Sequence, residues 1–271
     1  MSKNIYSDII PKHKLNDDNY YQDEKYVSNS MLSLVEKNSR KLFNHKLEEE
    51  IESDALLFGS VFHCMILEPS EYTKRYTVSP KVDKRTKLGK ETYIKFIEEV
   101  EKTGVIPYPM KFQEPLDKMW ENLRSVGGNS SAMDILGKED NSYEDIVVWK
   151  NKRTNINCKG KLDIVNHKHK FIADLKTTGD ASLHGFKKSI RNFKYHKQAA
   201  FYLDALGYSD YYIIAVEKTA PYGIGVYRIG DDLVQEGRDL YNKQLDIYSS
   251  MMENGTDYDY NYEKIVTINS L

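Results

Sequence analysis

Three residues stand where a buried strand would ordinarily carry apolar side chains: Asp163, Asp174 and Lys176, within KGKLDIVNHKHKFIADLKTT over residues 159–178. Two carboxylates brought together repel each other unless a cation lies between them. Oxygen ligation of that kind selects a hard divalent ion, Mg2+ or Mn2+. An adjacent ammonium adds positive charge without taking a coordination position. The competing reading is a solvated sheet face on which both aspartates pair with Lys161 and Lys176.

The elements that must position these groups are two short β-rich runs, Leu162–Val165 and Phe171–Leu175, flanking a polar turn at Asn166–His169. That pattern is a β-hairpin. Alternation along the second strand puts Asp174 and Lys176 on one face. A two-residue turn at His167–Lys168 sets Asp163 diagonal to Asp174, and a four-residue turn sets them directly opposite. Either even-length turn gathers both carboxylates and the lysine on one face, whereas an odd-length turn or a bulge separates them.

The bulk properties narrow the class. The chain has 271 residues, 40% hydrophobic and 30% charged, as expected of a globular protein. Its length fits one large domain or two small ones. No apolar run reaches the length of a membrane span, and MSKNIYSDIIPKHK lacks the apolar core of a signal peptide, so a cytoplasmic location is expected. Two cysteines, Cys64 and Cys158, provide neither a disulfide framework nor a four-cysteine cluster. A net charge of −2 excludes a generally basic nucleic-acid coat but leaves room for a local basic channel.

Residues 1–26 are polar and without clear periodicity, and are expected to form a flexible or loosely docked arm. Ser28 offers an N-cap for a helix running to about Asn44. The next helix, about Asp54 to Leu67, is apolar nearly all round and therefore buried, with Gly59 permitting close approach to a neighbour and Pro69 following its end. His63 is the only strongly polar side chain in its middle. Such a histidine is either a hydrogen-bonded core residue or the group that completes a metal site.

From Lys74 to Lys90 the chain carries seven Lys or Arg against one Asp, which reads either as a solvated loop or as a phosphate-contacting arm. In the second reading Arg85, Lys87 and Lys90 are the DNA contacts. Helical patterns follow at about Lys90–Lys102 and Pro115–Val126 with an extended link at Pro107 and Pro109, then a short helix ends near Leu136. Glu144–Lys150 reads as a strand leading into the hairpin. Ala181–Leu206 reads as two helices broken near Phe193–Tyr195, rich in lysine, with Gln198 and Tyr202 on one face. Tyr211–Glu217 and Gly225–Ile229 read as strands, and Asp231 to about Glu253 as a last amphipathic helix. Residues 255–271 are set apart as an acidic, tyrosine-rich tail, leaving 27–254 as a single domain.

FGSVFHCMILEP, KVDKRTKLGK, CKGKLDIV…IADLKTT and YHKQAAFYLDAL, in this order over about residues 28–206, resemble the PD-(D/E)xK nuclease superfamily. The branch they resemble is exonuclease VIII (RecE nuclease domain) of phages and prophages. Asp163 stands in a GKLD context where that family commonly has G-R-P-D, and the third motif is D-L-K rather than E-x-K. The resemblance implies an α/β, restriction-endonuclease-like core with a mixed central sheet flanked by helices. It makes His63, Asp163 and Asp174 metal ligands, with the Leu175 carbonyl as a further one. Lys176 would orient or deprotonate the attacking water, and Gln198 and Tyr202 would lie beside the site. Glu144 is left between an outer ligand of a second ion and a sheet-end residue. The implied activity is Mg2+- or Mn2+-dependent hydrolysis of linear double-stranded DNA from 5′ ends, leaving 3′ strands for a RecT-type annealing protein. A ring-shaped homo-oligomer is implied as well. A structure-specific endonuclease of the same superfamily would share every catalytic residue. A non-catalytic DNA-binding module on this fold would have no reason to keep Asp163, Asp174 and Lys176 together.

Overall fold

The computed structural model describes residues 4–254, apart from residues 12, 17–18, 24, 36–42, 45–52 and 126–129. The predicted tail at 255–271 and most of the predicted extension to Asn44 therefore lie outside the described residues.

A short strand, β1 (Ser7–Ile9), precedes α1 (Asn29–Leu34), whose N-cap Ser28 accepts from the Met31 N–H as its sequence position requires. Helix α2 (Asp54–Leu67) is capped by Ser53 and buries Phe58, Val61, Phe62, Cys64 and Leu67. Pro69 does more than end α2: at the first position of α3 (Pro69–Arg75), where its missing N–H costs nothing, it starts the next helix. Then come β2 (Tyr76–Val78), α4 (Lys87–Thr103), β3 (Ile106–Tyr108), α5 (Gln113–Arg124) and α6 (Ser130–Leu136). The extended link expected around Pro107 is β3, which pairs in parallel with β2. The presumed basic loop is thus partly ordered by α3, β2 and the first turn of α4.

The remaining elements are β4 (Asn141–Asn151), β5 (Asn157–Asn166), β6 (Phe171–Thr178), α7 (Leu183–Asn192), α8 (Tyr195–Leu206), β7 (Asp210–Glu217), β8 (Ile224–Arg228) and α9 (Asp231–Asn254). The central sheet runs β1-β4-β5-β6-β7-β8. Every neighbouring pair is antiparallel except β6–β7, which is parallel and joined through α7 and α8. Each face carries its own apolar core. On one, Ile172, Ile213 and Ala215 pack with residues of α1, α8 and α9; on the other, Ile164, Ala173, Leu175 and Ile214 pack with α2 and α5. This is a mixed sheet sandwiched by helices. Cys64 and Cys158 are buried and free. No described helix is long and apolar enough to cross a membrane.

Of the two alternatives expected for the N-terminal segment, a flexible or a loosely docked arm, the described residues take the second and are docked. Strand β1 pairs antiparallel with β4, from Ser7 against Asn151 to Ile9 against Trp149. The Ser7 hydroxyl donates to the carbonyls of Asp204 and Ala205, both at 2.7 Å, and Asn4 donates to the same pair. Those carbonyls belong to the last turn of α8, which has no intrahelical partners for them. Leu15 and Tyr20 are buried, and the Lys159 ammonium donates to the carbonyls of Tyr20 and Asp23. Composition left this docking open because most of the linkage is polar: a sheet edge and a helix end, each with orphan backbone groups to satisfy.

Candidate active site

The hairpin closes with the longer of the two even turns. Asn166 pairs with Phe171 and Ile164 with Ala173, so His167–Lys170 form the turn and the register points Asp163 at Asp174. Beyond Ile164 and Ala173 the ladder stops. There the Leu175 N–H donates instead to Asp163 Oδ2 at 2.8 Å, and the Leu175 carbonyl lies against the His63 imidazole. Backbone groups released by the splaying of β5 and β6 thus hold the site's side chains. The alternation of β5 also breaks at this point, since Leu162 packs in one core and Ile164 in the other.

Strand β4 breaks its own pattern at the facing position. Tyr143 pairs with Ile164 and Asp145 with Leu162, which leaves Glu144 opposite Asp163. Glu144 has φ 55°, in the left-handed region. A non-glycine residue there costs on the order of 1–3 kcal/mol, and such strain collects at functional sites. From the other side α2 brings His63 Nδ1 to 3.5 Å from Asp163 Oδ2. One turn earlier, a Cβ on Gly59 would lie 3.8 Å from Thr177 Oγ1, an ordinary contact, so the close approach of α2 to β6 does not require the glycine expected to permit it.

His63, Glu144 and Asp163 each present a donor atom within 4.8 Å of the other two. Ligands of one small divalent ion at ~2.1 Å stand at most ~4.2 Å apart, so modest rotation closes this set on an ion. The chemistry of the donors, two carboxylates and an imidazole, suits a divalent cation. Asp174 is not in this triad. Buried on the α8 side, it lies 2.6 Å from Lys176 Nζ and accepts from Gln198 Nε2 at 2.9 Å. Glu144, which sequence reasoning left between an outer ligand and a sheet-end residue, joins His63 and Asp163 in this group, and Asp174, expected as a ligand, is paired with Lys176. Gln198 and Tyr202 share a face of α8 as their spacing requires. Tyr202 packs on β5 where a Cβ at Gly160 would come within 2.7 Å of its ring, so only glycine admits it.

The electrostatics follow from burial. The Asp163 carboxyl is raised from the ordinary aspartate value to about 7 by burial and by Asp174, with Lys176 opposing. Burial and then Asp163 raise Glu144, against Lys161, whose ammonium is 3.0 Å from Glu144 Oε2. His63 is lowered by burial and by Lys176, which keeps its imidazole neutral and able to ligate. For Lys176 burial acts downward, but the carboxylates of Asp174 and Asp163 outweigh it and hold the group above the usual lysine value. In these surroundings it is held as a cation. Burial also lifts the phenols of Tyr202 and Tyr211 well above the ordinary tyrosine value, and the Asp174 charge adds to it.

His63, Glu144, Lys161, Asp163 and Lys176 line a cleft of about 880 Å³, with Asp174 buried behind the lysine. Its walls include residues that sequence reasoning did not single out as functional: Arg75, held by Glu68 through contacts of 2.9 and 3.1 Å, Lys218, Tyr21, Phe193 and Tyr195. Arg75 lay inside the basic run and Phe193–Tyr195 at the helix break, so their signal was present but without direction. Arg85, Lys87 and Lys90 do not line the cleft. The Arg85 guanidinium is engaged by both oxygens of Asp83 at 3.0 Å, and Lys87 and Lys90 lie in the first turn of α4.

A family described as "PDDEXK-like domain of unknown function (DUF3799)" matches residues 28–264. No curated protein matches the sequence significantly. Among solved structures, a protein of Eubacterium rectale named "Putative exonuclease" superposes with a TM-score of 0.64 at 14% identity, over 96% of this chain and 97% of that one. At that identity the likeness is one of fold. A phage-related exonuclease from Haemophilus somnus 129PT overlaps 38% of this chain and 59% of its own, with a TM-score of 0.31 at 14% identity.

Proposed function

This chain belongs to the PDDEXK-like family, and from that membership and the geometry of the cleft we propose that it is a metal-dependent exodeoxyribonuclease acting on linear double-stranded DNA. The observation that carries the reading is that the His63–Glu144–Asp163 donor set and Lys176 line one cleft, with Asp174 buried behind the lysine and paired with it. His63, Glu144 and Asp163 would hold the ion, with Asp174 beside them. A bound divalent ion supplies charge neutralisation at the phosphoryl group and a water of lowered pKa. The neutral imidazole favours Mn2+ over Mg2+.

The chain's own residues supply the rest. The Lys176 ammonium, anchored by Asp174, offers a fixed cation to the phosphoryl oxygens or to the attacking water. Gln198 fixes the other Asp174 oxygen and so keeps the carboxylate turned toward the lysine. Arg75 and Lys218, on the cleft wall, neutralise flanking phosphates. Arg85, Lys87 and Lys90 would contact duplex farther from the cut. The exonuclease class and 5′ to 3′ polarity follow the resemblance to exonuclease VIII, as do a ring-shaped assembly and hand-over of 3′ strands to an annealing protein.

The test is cleavage of linear against covalently closed duplex with Mg2+ or Mn2+. Linear DNA should be consumed to mononucleotides while circles resist, and a 5′-end label should be released before a 3′-end label. Comparable nicking of closed circles would replace the exonuclease with an endonuclease, and early release of 3′ label alone would reverse the polarity. His63→Ala should raise the metal concentration needed for activity; unchanged metal dependence with lowered thermal stability would return His63 to a core role.

A further inference from the structure

A row of four aromatic rings runs from the interior to the lip of the cleft. Tyr227 stacks on Phe186 at 5.1 Å and 14°, and its hydroxyl donates to the Ala181 carbonyl. Phe186, itself buried, lies 6.0 Å from Tyr195, and Tyr195 stacks with Phe193 at 5.6 Å and 27°. Phe193 ends the row with 67% of its surface exposed. Both lip rings line the cleft, and Lys176 Nζ lies 5.3 Å over the Tyr195 ring.

The backbone holds this arrangement rigidly. Phe193 closes α7, its N–H donating to the Ser189 carbonyl at 2.9 Å. Lys194, between the two rings, is in the left-handed conformation at φ 56° and ψ 40°. Its carbonyl accepts from the Lys197 N–H at 2.9 Å, which locks the corner into the start of α8. A strained residue thus separates two stacked rings, one of them mostly in solvent and two ring steps from the site's lysine.

We propose that Phe193, backed by Tyr195, is a stacking platform for an unpaired base of the DNA strand whose phosphate reaches the carboxylates. Every base has a π-face, so such a platform binds without reading sequence. Inside a duplex both faces of a base are covered by its neighbours, and a blunt end opens one face of its last pair only, so a ring set in the lip of the cleft is best matched by a base released from the stack. The strand is therefore engaged as a frayed end, and Phe193 keeps that end from re-annealing while Lys176 faces the phosphate. The inference rests on the nuclease reading above and adds to it the state of the substrate.

The experiment measures fluorescence anisotropy of a labelled duplex with a few unpaired nucleotides at one end, in chelator so that no turnover occurs. Phe193→Ala should weaken binding roughly 5- to 150-fold, the range for loss of one base–aromatic stack, while Phe193→Trp retains it. Replacing one terminal nucleotide by an abasic residue should weaken the parent by a similar factor and Phe193→Ala by no more. With metal restored, kcat/KM of Phe193→Ala should fall by the same factor and that of Phe193→Trp should not. Circular dichroism should be unchanged for both, because the ring is exposed. Parent-like binding and kcat/KM by Phe193→Ala, or additive abasic and Ala effects, would overturn the platform while leaving the nuclease intact. A parent that neither binds nor cuts DNA would overturn both readings.

Discussion

Lys176 on β6, part-buried at the cleft, and Lys197 on α8, fully buried, are moved in opposite directions by their surroundings. Lys176 lies 2.6 Å from the Asp174 carboxylate, and with Asp163 nearby its charge is favoured despite burial. Lys197 is 1% exposed and donates to the Asn29 carbonyl at 3.1 Å, Ser33 Oγ at 2.7 Å and Gln244 Oε1 at 3.0 Å. All three are neutral, and burial lowers its pKa to about 7, with Lys194 adding to the shift. One lysine knits α1, α8 and α9 together. The other is a cation in a cleft, beside an Asp163 carboxyl that burial and Asp174 push up to about 7 against its influence. Burial alone does not mark a functional lysine; the charge of what surrounds it does.

The largest effect that can break this comparison is on turnover. Lys176→Ala, Asp174→Asn and Asp163→Asn should each lower kcat by about 10²-fold or more with the fold retained, because the first removes the cation offered to the phosphoryl group, the second its anchor and the third a ligand of the ion. Lys197→Met should leave kcat near the parent value. Steady-state nuclease assays paired with circular dichroism check this, and equal losses at Lys176 and Lys197 would erase the distinction.

The second effect concerns stability and has the opposite sign at the same residue. A carboxyl raised from 3.8 to about 7 on folding stabilises the protein only while protonated, so its contribution is lost as pH rises from about 4 to 7. In chelator, Asp163→Asn should therefore be more stable than the parent at pH 7, by up to about 4 kcal/mol, with the gain vanishing near pH 4. Urea unfolding at the two pH values measures it. A less stable variant at pH 7 would mean that Asp163 is relieved by its neighbours.

Lys197 predicts a slope instead. Its folded pKa of about 7 lies below the unfolded value of 10.5, so the unfolded chain binds more protons between them and stability rises with pH across that window. The slope is at most about 1.4 kcal/mol per pH unit, and Lys197→Met should flatten it in unfolding titrations from pH 7 to 9. An unchanged slope would show that the three neutral acceptors support an ammonium better than burial alone allows.

The smallest effect separates two groups of surface cations. Neutralising Arg75 and Lys218 on the cleft wall should lower the salt dependence of DNA binding by roughly 1 per lost contact. Neutralising Arg85, Lys87 and Lys90 should do so only if duplex extends past α4. A salt titration in which the second set matters more than the first would move the DNA path away from the cleft.

Much of this was legible because it rests on local rules. The apolar ring of α2 around His63, the β-rich runs on either side of Asn166–His169, and the helix break near Phe193 all appear where their patterns place them. The site was legible only in part. The presence of Asp163, Asp174 and Lys176 on an otherwise apolar hairpin announced the chemistry, but not that Glu144 would join His63 and Asp163 while Asp174 turned to Lys176. That division follows from the end of the β5–β6 ladder and the left-handed Glu144, which no periodicity encodes. Likewise nothing in a polar N-terminus indicated that Ser7 and Asn4 would close the end of α8.

By itself, then, the sequence determined which elements form, which faces are apolar and which residue types face each other across one hairpin, since these depend on neighbours a few positions apart. Tertiary structure alone decided how the charges are partnered. Arg75 and Lys218 reach one cleft, Lys161 is paired with Glu144, and the surroundings of Lys176 and Lys197 shift them in opposite directions. Desolvation and Coulomb interaction act over a few ångströms between groups far apart in the chain, and only the packed fold sets those distances.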